Sequence, residues 1–300
     1  MKKLYALASL LAVFALVLAA CSPATPQADN LLDAIKARGY ILVSTDPNYA
    51  PQSFLNTSGS RPSDTKCPSD ALTTAEMQGF DVDVAIAIGD AVGVETCFAT
   101  PGWDTITAGS WADKWDVSVG SMTITTARQE VLDFSVPYYY TPAVVAVLAD
   151  SGITSLDQLA GQPICAGVST TYETWITGGD LGLPASSIYA SAPEGATAVS
   201  LETDQFCADA LVAGREEFAA YSTSGTVVDA NIAAGMPVVK VGDPVFSEDL
   251  AASFDKSSTL PTDSLRAEVD NLFNAMHADS RLSELSKKWF EGLDLTTAPT

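Results

Sequence analysis

Few residues in this chain could carry out covalent or metal chemistry. The 300 residues include one histidine, His277, which stands beside Met276 in a segment whose apolar residues have helical spacing. Neither a Ser-His-Asp nor a Cys-His arrangement can be built from one such histidine. The five cysteines form no Cys-x-x-Cys pair of the kind found in zinc and redox sites. The sequence therefore predicts no catalytic group, no metal site and no cofactor.

Arg128 is the residue best suited to binding chemistry. It ends the run Thr125-Thr126-Ala127-Arg128, which follows a strand-like segment. A guanidinium group matches a carboxylate through two parallel, charge-assisted hydrogen bonds. The alternative is an ordinary ion pair on the surface of a helix. Arg128 taken alone does not decide between carboxylate binding and a surface ion pair, so the surrounding secondary-structure elements must be considered.

Strand and helix signals alternate along the chain. Strand-like runs occur at 40–44, 115–120, 163–165, 187–190 and 217–221. Helical spacing occurs at 79–93, 125–131, 170–176 and 226–233, and in two amphipathic segments after Thr262. This rhythm predicts an α/β protein with two halves, each a mostly parallel sheet flanked by helices. Ligands of open α/β sheets bind outside the carboxyl ends of the strands, so the residues just after the strands are the candidates for a site.

Several segments at those positions carry a family pattern. They are 45–51 (TDPNYAP), 79–84 (GFDVDV), 103–104 (WD), 120–128 (GSMTITTAR), 134–140 (FSVPYYY), 169–173 (STTYE) and 276–279 (MHAD). In this order and spacing they closely resemble the polar amino-acid solute-binding proteins of ABC importers. That family includes the histidine-, lysine/arginine/ornithine- and glutamine-binding proteins. The resemblance covers nearly all of the chain after its first 20 residues.

The resemblance implies a two-lobe periplasmic-binding-protein fold of type II, with two crossover strands joining the lobes. Lobe I would comprise residues 31–141 and 239–300, and lobe II residues 142–238. The chain would cross near Thr141 and return near Val239. Each crossing is an extended segment whose backbone angles can absorb closure of the cleft, as hinges do.

The resemblance also assigns residues to a ligand site in the cleft. Arg128 matches the arginine that takes the ligand's α-carboxylate, and Ser121 and Thr123 match the positions that support that carboxylate. Tyr49 and Trp103 match the two walls that sandwich the ligand side chain. From lobe II, Thr170 and Thr171 match a Gly-Thr-Thr segment that closes over the carboxylate. Ser169 stands where the family usually has glycine, a departure that matters if its φ is positive.

Ser222 is the sharpest departure from the family. The run 214–222 (GREEFAAYS) resembles a Gly-Arg-x-Asp segment, and Ser222 stands where an aspartate normally pairs with the ligand's ammonium. A hydroxyl accepts a hydrogen bond but brings no charge, and neutral hydrogen bonds contribute less than charged ones. Either the ammonium is held differently or the ligand lacks one. Ser222 remains a predicted ligand contact in both cases.

The N-terminus predicts export. Lys2 and Lys3 precede an uncharged apolar stretch that ends at Leu18-Ala19-Ala20-Cys21. This order indicates a signal peptide over residues 1–20, with Cys21 lipidated as the mature N-terminus. The alternatives are an ordinary cleavage site or an uncleaved anchor helix. Residues 21–30 are small, polar and proline-containing, which is typical of a flexible tether.

The four remaining cysteines predict two disulfide bonds in an exported protein. Spacing alone does not choose among the three pairings. We predict Cys67–Cys97, which ties a polar insertion at 56–77 to the second strand. We also predict Cys165–Cys207, so that each bond lies within one implied lobe and neither locks the hinge.

The resulting prediction is a substrate-binding lipoprotein of an ABC importer. It would be a monomer outside the cytoplasm, held by lipid on the periplasmic or outer face of a membrane, and it would bring an amino acid or a related carboxylate to a permease. The formal net charge of −22 argues against nucleic acid as a partner. The alternative is a periplasmic enzyme on the same scaffold, similar to cyclohexadienyl dehydratases, whose substrate lacks an amine.

Overall fold

The computed structural model describes residues 28–299. The predicted signal peptide, Cys21 and most of the predicted tether therefore lie outside the described residues.

The described chain alternates strands and helices as the sequence predicts. The strands are β1 (Tyr40–Ser44), β2 (Asn48–Tyr49), β3 (Ser53–Leu55), β4 (Leu72–Thr73), β5 (Met77–Gln78), β6 (Glu95–Ala99), β7 (Val117–Thr123), β8 (Leu132–Phe134), β9 (Tyr139–Leu148), β10 (Pro163–Gly167), β11 (Thr197–Leu201), β12 (Ala220–Ser224) and β13 (Val238–Asp255). The α-helices are α1 (Leu31–Arg38), α2 (Phe80–Val92), α3 (Trp103–Thr107), α4 (Thr126–Val131), α5 (Thr171–Ile176), α6 (Asp204–Val212), α7 (Gly225–Ala233), α8 (Asp263–Ala278) and α9 (Arg281–Trp289). Short 3-10 turns occupy Leu156–Leu159 and Ala185–Ser187.

Two long strands hold the halves of the molecule together. The main sheet has the order β11-β10-β12-β9-β13-β7-β1-β6-β4, with β8 also paired to β13. The pairs β1/β6, β1/β7, β10/β11 and β10/β12 are parallel, whereas β9 and β13 pair antiparallel with each other and with their outer neighbours. The predicted α/β architecture, with two mostly parallel halves and two crossover strands, is confirmed.

Each half has its own buried core. The largest cluster of the first half gathers side chains from β1, α2, β7, α8 and α9. Two clusters fill the second half, with side chains from β9 to β12, α5 and α6. Val241, Val245 and Phe246 pack into the second core, so the first part of β13 belongs with that half.

Both predicted disulfide bonds are present. Cys67–Cys97 joins the polar insertion to β6, and Cys165–Cys207 joins β10 to α6. Within the insertion, Arg61 donates hydrogen bonds to the carbonyls of Cys67, Pro68 and Ala71, so the loop is fastened by more than the disulfide. Each bond stays within one half and leaves the other half free to move.

The second half holds the main errors in the predicted elements. The predicted strand at 187–190 is wrong: a 3-10 turn occupies Ala185–Ser187, and Ile188 forms only an isolated bridge to Phe246. The strand in that part of the chain is β11, which the sequence did not indicate because it is short and none of its five residues is buried. The strand predicted at 217–221 begins three residues later, since Glu217 is held in an exposed ion pair with Arg215.

No helix within residues 28–299 has the length and apolar character needed to cross a membrane.

Candidate functional site

A cavity lies where the ends of strands from both halves meet. The space free of protein atoms in and around it is about 450 Å³, part of which opens to solvent. Its wall comprises Asp46, Tyr49, Trp103, Gly120, Ser121, Thr123, Arg128, Gly167, Thr170, Thr171, Tyr172, Glu202, Thr203, Asp204 and Glu248. Most of these residues follow or end β1, β7, β10 and β11, the carboxyl ends that the topology predicts to be the binding edge.

The two halves touch across this cavity. Gln52 Nε2 donates to Thr226 Oγ1 at 2.5 Å, and the hydroxyl groups of Tyr49 and Tyr172 lie 3.3 Å apart. The amide of Thr126 donates to the carbonyl of Gly182 at 3.2 Å. The cleft is therefore closed over the cavity rather than open to solvent along its length.

Arg128 is positioned by the start of α4. Thr125 caps this helix by accepting a hydrogen bond from the Arg128 amide, which fixes the first turn directly after β7. The guanidinium group donates to the Thr123 carbonyl through Nη1 and to the Ser169 carbonyl, in the opposite half, through Nη2, both at 3.1 Å. It lies 5.5 Å from the centroid of the Trp103 ring. Burial lowers the pKa of Arg128 to about 10, and the negative charge of Glu248 opposes that shift.

Glu248 lies on β13 at the junction of the halves and is 1% exposed. Its Oε1 accepts from Thr123 Oγ1 and Thr171 Oγ1, both at 2.6 Å, and its Oε2 accepts from the Tyr172 hydroxyl at 2.7 Å. Thr123 comes from the first half, whereas Thr171 and Tyr172 come from the second. One buried carboxylate thus joins both walls of the cleft to the crossover strand, which fixes the closed arrangement.

Asp204 is the buried acid on the opposite wall. It opens α6 directly after Thr203, whose side chain caps that helix. Its Oδ1 accepts from the Gly167 amide at 2.6 Å and its Oδ2 from Thr223 Oγ1 at 2.9 Å. Burial raises the pKa of Asp204 to about 7, with smaller contributions in the same direction from Asp46 and Glu248. Burial also raises the pKa of Asp46 to about 6.

The structure brings together all the predicted ligand contacts except Ser222. Several of them are already engaged with other protein groups. The Ser121 hydroxyl bonds to Asp81 and to the Tyr139 hydroxyl, and its amide donates to the Tyr138 hydroxyl. The hydroxyl of Thr123, like that of Thr171, donates to Glu248. Their side chains therefore form the wall of the cavity, but their hydroxyl groups are not free to donate hydrogen bonds to a ligand.

Ser222 does not line the cavity, so the prediction that it contacts ligand is corrected. It is fully buried in β12, and its hydroxyl donates to the Val144 carbonyl at 3.1 Å. The short side chain satisfies itself on the neighbouring strand. The next residue, Thr223, turns toward Asp204 instead.

Ser169 adopts the backbone geometry that glycine favours. Its φ is +61°, in the left-handed region that costs a side-chain-bearing residue free energy. Its amide donates to Glu173 Oε2 at 2.7 Å, and its carbonyl receives the bond from Arg128. These two contacts hold the segment in place despite the strain.

A protein-family model described as "Bacterial extracellular solute-binding proteins, family 3" matches residues 41–292. The chain belongs to this family. The resemblance that the sequence carries is thereby confirmed.

Individual members of the family show distant similarity. The chain is 29% identical over 171 residues to the L-cystine-binding protein TcyJ of Escherichia coli (strain K12), an alignment that covers 56% of this chain and 58% of that protein. It is 25% identical to the L-cystine-binding protein TcyA of Bacillus subtilis (strain 168), over 94% of this chain and 97% of that one. It is 26% identical to the histidine-binding periplasmic protein of Escherichia coli (strain K12), over 84% of this chain and 87% of that protein.

Solved structures share the fold. A P235GK mutant of ArgBP from T. maritima aligns with a TM-score of 0.69 at 23% identity, covering 87% of this chain and 99% of that one. The ancestral amino acid-binding protein AncCDT-1, described as a precursor of cyclohexadienyl dehydratase, aligns with a TM-score of 0.68 at 25% identity. The alignment covers 86% of this chain and 99% of that one. The two-lobe architecture of family 3 is therefore the architecture of this chain.

Sequence reasoning missed the acids of the site: Asp46, Glu202, Asp204 and Glu248 all line the cavity. Asp204 follows a strand end and a capping threonine, a signal that was lost because β11 itself was not recognised. Glu248 stands between Ser247 and Asp249 in the sequence, so nothing local marks it as a buried acid. Tyr172 was part of the quoted pattern but was not assigned to the site.

Proposed function

We propose that this family 3 protein binds an amino acid in the closed cleft and delivers it to the permease of an ABC importer. The observation that carries the proposal is the environment of Arg128. Its guanidinium group is buried in the cavity wall and, within residues 28–299, bonds to two main-chain carbonyls and forms no ion pair. A buried guanidinium with that arrangement is suited to bidentate recognition of a carboxylate.

The aromatic side chains of the cavity support a small organic ligand. Tyr49 and Trp103 lie in the first half and Tyr172 in the second. The indole N–H of Trp103 is buried and has no hydrogen-bond acceptor among the described residues. A polar ligand group beside Trp103 would satisfy it. The named relatives bind cystine and histidine, which fits an amino acid as ligand.

We propose that closure works by bending at the two crossover strands. Lobe I would comprise residues 31–141 and the end of the chain, and lobe II would begin at 142. The packing of Val241, Val245 and Phe246 in the second core supports a return crossing near Ser247, later than Val239. A ligand would favour closure through contacts that only the closed cleft offers.

We further propose that Cys21 carries lipid and anchors the protein outside the cytoplasm as a monomer. The proposal rests on the Leu18-Ala19-Ala20-Cys21 sequence. Cys21→Ala should release the protein from the membrane fraction or block its processing. A variant that fractionates and migrates like the wild type would contradict lipidation.

The test of the binding function is native mass spectrometry followed by calorimetry. The panel holds the twenty proteinogenic amino acids, L-cystine and L-ornithine, with succinate and lactate as acids that lack an amine. We expect one or a few amino acids to bind with a dissociation constant in the micromolar range or below. A folded protein that binds none of the panel, or binds the amine-free acids as tightly, would contradict the proposal.

An enzyme of the cyclohexadienyl dehydratase kind is the second candidate. Asp204 favours it, because a cavity carboxyl group with a pKa of about 7 could hold a proton at neutral pH. The likeness to AncCDT-1 is compatible with either function, since that protein is described as an amino acid-binding precursor. Incubation with prephenate, followed by mass spectrometry, decides: turnover that is lost in Asp204→Asn would establish the enzyme.

A further inference from the structure

The charges on the cavity wall do not balance. Among the described residues that line it, four carry carboxyl groups and one, Arg128, carries a guanidinium group. A carboxylate ligand would take Arg128 and leave the acids without a cation. A buried carboxylate without a positive partner is costly, so the wall is suited to a ligand that also brings positive charge.

The position of Asp204 is defined by both strands beside it. Gly167 ends β10 and Thr223 lies near the end of β12, and each donates a hydrogen bond to one carboxylate oxygen. A Cβ atom at Gly167 would lie 2.7 Å from Asp204 Oδ1, so only glycine leaves room for the carboxylate there. Asp204 is 4% exposed and forms no ion pair within residues 28–299. An ionised carboxylate has about four acceptor positions, so two donors leave it with unused capacity.

The other acids of the wall are less suited to receive a cation. Glu248 already accepts three hydrogen bonds from threonine and tyrosine hydroxyls, and its charge acts on Arg128. Glu202 is exposed at the rim. Asp46 is half-buried and accepts from the amide of Asn48 within its own turn. Asp204 is the buried acid that keeps free acceptor positions.

Asp204 and Arg128 are attached to the same short segment. Asp204 accepts from the Gly167 amide, and Arg128 donates to the Ser169 carbonyl. Three residues of chain span at most about 10 Å. Both side chains also line the same cavity, so one small molecule bound there can contact both charges. The ammonium and carboxylate groups of an α-amino acid form such a pair of opposite charges, attached to the same carbon atom.

We propose that Asp204 receives the ligand's α-ammonium group and replaces the aspartate that the family places at the position of Ser222. The inference rests on the proposed amino-acid binding and names the residue that distinguishes an amino acid from an amine-free acid. Specificity of this kind comes from leaving a buried acid unpaired when the wrong ligand is bound.

Calorimetry on Asp204→Asn tests the inference. The probes are the amino acid of the panel that binds the wild type most tightly and the 2-hydroxy acid of the same side chain. Asparagine keeps the shape: its carbonyl can accept from Gly167, and its amide can donate to Thr223, whose hydroxyl can reverse its role. We expect binding of the amino acid to weaken by roughly tenfold to a hundredfold. Binding of the 2-hydroxy acid should change by less than about threefold or tighten, since a charged hydrogen bond is lost only with the amine.

Ser222→Ala is the matched control, because it removes a buried hydroxyl from the residue next to Thr223 on β12. It should leave the affinity for both probes as in the wild type. An Asp204→Asn protein that binds the amino acid as the wild type does, or that loses both probes equally, would overturn the assignment while amino-acid binding stands. If no amino acid of the panel binds the wild type, the proposed function and this inference both fall.

Discussion

The cavity has two charged walls that are built in different ways. The positive wall, in the first half, comes from one continuous stretch of chain: β7, the capping Thr125 and Arg128 at the start of α4. The negative wall, in the second half, is assembled from three separate places, namely Gly167, Asp204 and Thr223. The first wall can therefore be identified from a short motif, whereas the second exists only once the sheet is folded.

The difference has a consequence for how such sites change in evolution. A charge fixed by a local helix cap is difficult to move, because its backbone and its side chain depend on the same few residues. A charge fixed by the ends of several strands can move to a neighbouring strand or helix without altering the fold. Ser222 and Asp204 fit this pattern: the family resemblance places an acid where Ser222 stands, and the chain has a buried acid at Asp204.

The largest expected effect is on the positive wall. Arg128→Ala should weaken amino-acid binding by roughly a hundredfold or more, because the carboxylate would lose its partner in a desolvated cleft. Calorimetry measures the loss, and thermal melting confirms that the variant is folded. Arg215→Ala is the matched control, since that arginine is exposed and paired with Glu217. A folded Arg128→Ala protein with wild-type affinity would refute the assignment of this wall.

The second effect is the pH dependence of binding, which tests the negative wall. Asp204 must be ionised to receive an ammonium group, and burial raises its pKa to about 7. Binding should therefore be strongest above pH 7 and weaken up to about a hundredfold by pH 5. The Gly167 amide and Thr223 donate hydrogen bonds to Asp204, and the titratable groups near it are Asp46, Glu248, Tyr49, Tyr172 and Tyr221. Asp46, with a pKa of about 6, contributes in the same direction.

Calorimetry at pH 5, 6, 7 and 8 measures this dependence, and buffers of different ionisation enthalpy report the protons released. In Asp204→Asn the dependence should be much shallower. An affinity that is constant from pH 5 to 8 in the wild type would contradict the role of Asp204.

The third effect is on stability. The pKa of Asp204 in the folded protein lies above its ordinary value of 3.8, so folding favours the protonated acid. The stability of the protein without ligand is then lost as the pH rises from about 4 to 7. At pH 8 Asp204→Asn should exceed the wild type in unfolding free energy by about 1–3 kcal/mol, and the difference should shrink at pH 5. Thermal or urea unfolding at both pH values measures it, and a variant that is less stable at pH 8 would contradict the cost assigned to this acid.

The smallest effect concerns Ser222. Ser222→Ala removes one buried hydrogen bond to the Val144 carbonyl, which should lower the unfolding free energy by about 1 kcal/mol. Affinity for amino acids should not change. A tenfold loss of affinity in this variant would place Ser222 in the site after all and would restore the family's usual arrangement.

Sequence alone predicts the positive wall well because its signals are local. The threonine cap, the arginine three residues later and the strand before it are contiguous, so Arg128 and the wall residues Ser121 and Thr123 could be named from the pattern. The two disulfide pairs could be predicted because each lies within one half of the fold.

The negative wall could not be predicted in the same way. None of the five residues of β11 is buried, so the segment carries no strong apolar signal. Its strand character was therefore missed, and Asp204 was not seen to follow a strand. Glu248 depends on the pairing of β13 with β7 and β9, which are distant in sequence. Ser222 was assigned to the site because it matches a family position. Its short side chain is instead buried and bonds to the Val144 carbonyl on the neighbouring strand.

The most direct test of the account is a crystal structure of the protein with the amino acid that binds most tightly in the panel. The account predicts the ligand's carboxylate on the Arg128 guanidinium group and its ammonium group within hydrogen-bond distance, about 3 Å, of the Asp204 carboxylate. An ammonium group bound to Glu248, to Asp46 or to solvent alone, with Asp204 still paired only to Gly167 and Thr223, would contradict it.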